Sequence, residues 1–120
     1  MHSLVSSEVL DLQVKSSNNG TAISISWKPP ANPNGNLLGY SINITNLKNG
    51  STERQTVSLN VTTVSEYDLG ILLLDNYVHY NVNFHHHVVA GVPYNVSIAA
   101  VNMEGLGNFS IFIHFTRELS

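Results

Sequence analysis

The chain has 120 residues, 42% of them apolar and only 11% charged, and a formal net charge of −3. This length suits one domain with a self-sufficient core and excludes a multi-domain machine. Five basic residues (Lys15, Lys28, Lys48, Arg54, Arg117) argue against nucleic acid or an anionic membrane as partner, and the absence of cysteine excludes a disulfide scaffold.

Helical periodicity is almost absent, and short alternating runs separated by Gly, Pro and Asn take its place. Leu10, Leu12 and Val14 alternate with polar residues and predict a strand over 8–16, closed by a turn at Asn18-Asn19-Gly20. Ile23, Ile25 and Trp27 alternate with Ser24 and Ser26, predicting a strand over 21–28 that Pro29-Pro30 ends. A polar loop, Ala31 to Asn36, leads to a strand over 37–47 with Tyr40, Ile42 and Ile44 on one face. Asn49-Gly50 is a hairpin signal, followed by a strand over 52–61 carrying Val57, Leu59 and Val61. Tyr80, Val82, Phe84 and Val88 mark a strand over 79–88. Tyr94, Val96, Ile98 and Ala100 mark one over 93–102, with Ala99 on the outer face, and 108–117 forms the last. Short strands at this spacing predict an antiparallel sandwich. Its expected core is Leu12, Val14, Ile23, Ile25, Trp27, Tyr40, Ile42, Ile44, Val57, Leu59, Phe84, Val88, Tyr94, Val96, Ile98, Ala100 and one of Ile111 and Phe112.

Six Asn-x-Ser/Thr sequons stand out, at Asn19, Asn43, Asn49, Asn60, Asn95 and Asn108. Fifteen Asn among 21 Ser plus Thr in this length would yield roughly two or three by chance. In SINIT, LNVT and YNVSI the asparagine alternates with apolar residues, which places Asn43, Asn60 and Asn95 on the wet face of a half-buried strand. N-glycans there would supply the solubility that so few charges do not, and glycosylation takes place in the secretory pathway. The rival reading is an Asn-rich chain with accidental matches. No signal peptide or membrane span is visible. Met1-His2 followed by polar residues reads as an appended start, so residues 1–7 are expected to be linker and the natural chain to continue at both ends.

The chain resembles a fibronectin type III domain over nearly all of its length. ISISWKPP is similar to the family's second strand, with Trp27 as its core tryptophan, and NGNLLGYSINI resembles the entry to the third, with Tyr40 as core aromatic. AGVPYNVSIAAVNMEGLGNFS is similar to the sixth strand and the turn after it, with Tyr94 at the tyrosine corner. At such a corner the ring sits in the core and the hydroxyl reaches back to upstream backbone. The resemblance implies an all-β, seven-stranded antiparallel, immunoglobulin-like sandwich over 8–118, without the Cys…Trp…Cys pattern of true immunoglobulin domains. In two places the chain departs from the family. Ala90 stands where a proline is usual, with Pro93 displaced next to Tyr94. The 54 positions from Tyr40 to Tyr94 also exceed the family norm by roughly 15–20 residues.

That excess is an insertion at about 62–78, before the fifth strand, holding the unbroken apolar run Ile71-Leu72-Leu73-Leu74. Four consecutive apolar residues fit neither a half-buried strand nor a solvated loop. They form an extra strand or short helix over the sandwich edge, or an exposed contact surface. Ile71, Leu72, Leu73, Leu74 and Tyr77 are therefore the candidate protein-contact residues, in a stretch from Thr62 to Phe84 that holds no sequon.

No catalytic constellation emerges. There is no G-x-S-x-G elbow, HExxH, P-loop or dinucleotide fingerprint, and the eight carboxylates are scattered. His85-His86-His87 is the one cluster that invites a chemical reading. On a strand His85 and His87 share a face about 6.5–7 Å apart, but they are two ligands where a closed site needs four. The expectation is no enzyme, no cofactor and no metal. The resemblance implies a non-catalytic, glycosylated extracellular interaction module of a cell-surface receptor, on the outer side of the plasma membrane or secreted. Its partners would be a protein ligand or neighbouring receptor domains, without nucleic acid or direct membrane binding. The alternative is a glycosylated spacer in a tandem array of an adhesion or matrix protein. The absence of Arg-Gly-Asp removes one adhesion mechanism, and the absence of a Trp-Ser-x-Trp-Ser box weakens a cytokine-receptor assignment.

Overall fold

Period-two alternation is realised as strands throughout the residues that the computed structural model describes, namely 4–17, 22–58, 63–64, 67–74, 77–84, 89 and 91–115, and no helix occurs among them. The strands are β1 (Leu10–Ser17), β2 (Ala22–Lys28), β3 (Gly39–Asn46), β4 (Thr52–Ser58), β5 (Thr63–Val64), β6 (Tyr67–Leu74), β7 (Tyr77–Phe84), β8 (Pro93–Asn102), β9 (Gly105–Leu106) and β10 (Ser110–Phe115). They form two antiparallel sheets, ordered β1-β2-β7-β6-β5 and β10-β8-β3-β4, with β9 a short addition to β8. The chain passes between the sheets from β2 to β3, from β4 to β5 and from β7 to β8. The seven expected strands correspond to β1, β2, β3, β4, β7, β8 and β10, and they make the seven-stranded antiparallel sandwich that the resemblance implies. The insertion adds β5 and β6 to the first sheet.

The inner faces meet over a core of Val14, Ile23, Ile25, Trp27, Tyr80 and Val82 from one sheet, and Tyr40, Ile42, Ile44, Val57, Tyr94, Val96, Ile98 and Ala100 from the other. At its centre three rings join the sheets. Trp27 stacks on Tyr80, its register partner, with centroids 5.7 Å apart, and meets Tyr40 edge-on at 5.1 Å. Phe112 packs on this core, whereas Ile111 faces outward. Leu59, Val88 and the turn at 18–20 lie outside the described residues.

Two expectations about strand faces change. Leu10 is exposed and Val9 is buried in its place. The cause is a register shift between Leu10 and Gln13, where Asp11 adopts a left-handed φ of 54°. A bulge of this kind inserts one residue and exchanges the faces on either side of it. Ala99, expected outside, is fully buried beside its partner Ser41, because two small side chains on adjacent central strands lie below the level of larger neighbours.

The tyrosine corner forms as the resemblance implies. Tyr94 is buried, and its hydroxyl accepts a hydrogen bond from the Val89 backbone N–H at 2.8 Å. At one pole a polar clamp ties three segments together. Buried Asn102 donates through Nδ2 to the carbonyls of Leu4, Pro33 and Asn34, and its Oδ1 accepts from Glu104 N–H. Ser6 is fully buried and donates to Pro33 O at 2.6 Å, while Ser6 O accepts from Asn108 N–H. Gly107 completes the joint, since a Cβ there would overlap the Ser6 carbonyl oxygen. Packing therefore reaches back to Ser6, inside the 1–7 stretch that the sequence reading leaves to a linker.

Candidate functional site

The two sheets present different chemistry to solvent. On the outer face of β10-β8-β3-β4, the sequons Asn43-Ile44-Thr45 and Asn95-Val96-Ser97 lie side by side in antiparallel register. Asn43 pairs with Ser97, Thr45 with Asn95, and Ile44 with Val96. The paired apolar residues are buried in the core, so the four polar residues share the solvent face, each half-buried. Asn43 Oδ1 accepts from Arg54 Nε at 3.0 Å, and Thr45 Oγ1 shares a 2.9 Å hydrogen bond with Thr52 Oγ1. Asn95 Oδ1 is occluded and has no hydrogen-bond partner among the described residues. A glycan attaches through Nδ2, so the Arg54 contact to Asn43 Oδ1 leaves the reactive atom of that amide unengaged by this bond.

Of the other sequons, Asn49 is exposed on the β3–β4 hairpin, where Gly50 has a φ of 80° and donates to Asn46 O. The Asn49-Gly50 signal is thus realised as a turn. Asn49 Oδ1 accepts from Ser51 N–H at 2.9 Å. Asn108 is exposed after β9, and Asn19 and Asn60 lie outside the described residues.

The first sheet carries the insertion. Ile71, Leu72, Leu73 and Leu74 form the second half of β6 and pair with Tyr80, His79, Val78 and Tyr77 of β7. Of the alternatives for the apolar run, the extra strand is the one formed. The ladder runs up to Leu74 opposite Tyr77, so β6 and β7 are consecutive strands of one antiparallel pair. On its other side β6 pairs only through Tyr67 and Asp68, with Val64 and Thr63 of β5. Among the described residues, Leu69 to Leu74 therefore have no strand beside them on that side. His85 and His87 lie outside the described residues.

Among the described residues, burial displaces the titration of two phenols. Burial lifts Tyr40 above the ordinary phenol value and the neighbouring Tyr80 adds to the effect; burial raises Tyr80 as well. Tyr40 and Trp27 fill the core, and neither the Tyr40 hydroxyl nor Trp27 Nε1 has a hydrogen-bond partner among the described residues. This is the environment of a structural core.

Sequence reasoning missed the alignment of the two sequons and the Asn102 clamp. Both depend on which strands and loops become neighbours, which no local pattern encodes. Of the pair Ile111 and Phe112 left open for the core, Phe112 is the one that packs there.

The family model for the fibronectin type III domain matches residues 7–116. Among solved structures, the chain is similar to the fn3 domain of human collagen alpha-1(XX) chain, with 17% identity, a TM-score of 0.65 and coverage of 100% of this chain and 93% of that one. It is also similar to part of astrotactin-2, a perforin-like membrane protein, with 16% identity and a TM-score of 0.74 over 97% of this chain and 22% of that one. A third similarity is to the twitchin kinase region from C. elegans, with 17% identity and a TM-score of 0.64 over 94% of this chain and 17% of that one. No curated protein sequence matches.

Proposed function

This chain belongs to the fibronectin type III domain family, and from that premise we propose that it is a non-catalytic, glycosylated extracellular module that binds a protein through the β6 edge of its first sheet. The observation that carries the reading is that edge. Leu69 to Leu74 present one side of the backbone without a neighbouring strand among the described residues, in the sequence Leu-Gly-Ile-Leu-Leu-Leu. An apolar strand at the edge of a sheet is a template for an added strand, with main-chain hydrogen bonds supplying affinity and side chains supplying selectivity. Division of labour between the sheets supports the reading. Asn43 and Asn95 sit together on the opposite sheet, and sugars there would keep partners away from it, whereas 62–84 has no sequon. The setting that fits is the outer face of a cell-surface receptor, with a protein ligand or an adjacent receptor domain as the partner.

A multivalent, fluorescently labelled form of the domain applied to intact cells of its source tests this reading. Trimming Val64 to Asn76 to a short turn is expected to abolish cell labelling, and Leu72→Lys with Leu74→Lys to weaken it by placing charge on the edge. Unchanged labelling by a folded trimmed variant would remove the β6 contact and leave the alternative of a glycosylated spacer in a tandem array.

A further inference from the structure

The outer face of β10 carries two isoleucines that the polypeptide leaves uncovered. Ile111 and Ile113 are 65% and 62% exposed. β10 is the terminal strand of its sheet, and its sequence Ser-Ile-Phe-Ile-His-Phe holds no Lys, Asp, Glu or Pro. Charged residues and proline are the usual means of keeping an apolar terminal strand from pairing with another molecule.

The register identifies what stands beside this strip. Ile113 lies directly opposite Asn95, and Ile111 opposite Ser97, so the whole Asn95-Val96-Ser97 sequon runs alongside it. Directly opposed residues on one sheet face have Cβ atoms about 4.5–5.5 Å apart, and diagonal ones about 7–8 Å, so Asn95 is within reach of both isoleucines. Asn43 is placed differently. It lies on β3, two strands or about 10 Å from β10, and Arg54 of β4 holds its Oδ1 on the far side.

We propose that an N-glycan on Asn95 lies across Ile111 and Ile113, its first N-acetylglucosamine covering the strip with the C–H face of the pyranose ring. The inference rests on the glycosylation reading above and names what one of those sugars does. Attachment forms a bond between Asn95 Nδ2 and the sugar's C1 and breaks that carbon's bond to a lipid pyrophosphate donor. The displaced Nδ2 proton goes to the leaving pyrophosphate. A pyranose ring has an apolar C–H face while its hydroxyls project from the rim, so it can cover isoleucine and stay hydrated. A sugar on Asn43, the diagonal neighbour, would fill the side towards β4 and leave β10 as the open direction. The glycan then does for β10 what a lysine does on other terminal strands.

The test uses the domain secreted from glycosylating cells as wild type, as Ser97→Ala (which keeps Asn95 but removes its sequon), as Ile111→Thr with Ile113→Thr, and as all three changes together. Glycopeptide mass spectrometry first reads Asn95 occupancy, and an unmodified Asn95 would end both the glycosylation reading at this site and the inference. With Asn95 occupied, Ser97→Ala is expected to raise binding of an apolar dye on the order of two-fold and to promote self-association, as an uncovered patch does. The triple variant should return to the wild-type level, and Asn43→Gln should leave dye binding unchanged. Loss of the Asn95 sugar having the same effect with or without the isoleucines, or no effect, would overturn the inference while leaving glycosylation intact. Occupied wild type that is already a dimer, and becomes monomeric on Ile111→Thr with Ile113→Thr, would overturn it too and assign the strip to a second copy.

Discussion

Trp27 shows how one side chain decides whether the sandwich closes. It is fully buried, stacks on Tyr80 of its own sheet and meets Tyr40 of the other, so its removal opens a cavity between the layers. Trp27→Ala should cost about 3–5 kcal/mol, read as a lowered urea midpoint with an unchanged slope; a midpoint within error of wild type would refute the central role. Tyr40 makes a subtler prediction. Its phenol titrates above the ordinary value in the folded state because burial penalises the anion. Below about pH 10 both folded and unfolded chains keep the proton, so Tyr40 gives stability no pH dependence there. As pH rises further the unfolded chain releases the proton first, and stability falls by up to about 1.4 kcal/mol per pH unit for this group. Tyr40→Phe should therefore flatten the loss of stability between pH 10 and 11, leaving the share due to Tyr80, and should cost little at neutral pH because the lost hydroxyl has no hydrogen-bond partner of good geometry among the described residues. Equal slopes for both proteins in urea titrations at pH 8–11 would contradict this.

Elements rather than residues explain where the insertion goes. A chain segment that leaves β4 and must return to β7 can extend the first sheet without disturbing the inter-sheet core, and β6 does so by pairing with β7 along its whole length. The inter-sheet core is built from β1, β2 and β7 on one side and β3, β4 and β8 on the other. The Val64–Asn76 trimmed variant is thus expected to keep a cooperative thermal transition and the near-ultraviolet circular dichroism of the Trp27–Tyr40–Tyr80 cluster. Loss of that signal would mean that β6 is part of the fold and not an accessory to it. The bulge at Asp11 shows the opposite case, in which a single backbone conformation moves Val9 inward and Leu10 outward.

At the scale of the whole molecule the balance between apolar surface and charge matters most. With a net charge of −3 and a pI near 6.0, the polypeptide has little electrostatic repulsion to keep copies apart. Material made without glycosylation should show a solubility minimum close to pH 6, and secreted glycoprotein should not. Light scattering across pH 5–8 compares the two, and matching profiles would show that sugars are not the source of solubility.

Period-two alternation around Trp27, Tyr40, Tyr94 and their neighbours determined seven of the strands, the sandwich class and most of the core, because burying one face of a strand is a local demand written residue by residue. The same local pattern determined that Asn43 and Asn95 face outward. The tertiary structure alone decided that these two sequons lie in mutual register, that Asn95 stands beside Ile113, and that Asn102 gathers carbonyls from Leu4, Pro33 and Asn34. It also decided that the apolar run Ile71 to Leu74 extends a sheet. Apart from the local β6–β7 hairpin, these are relations between segments that are not neighbours in the chain. They depend on which strands pair and in what register, and that is settled only when the whole core closes.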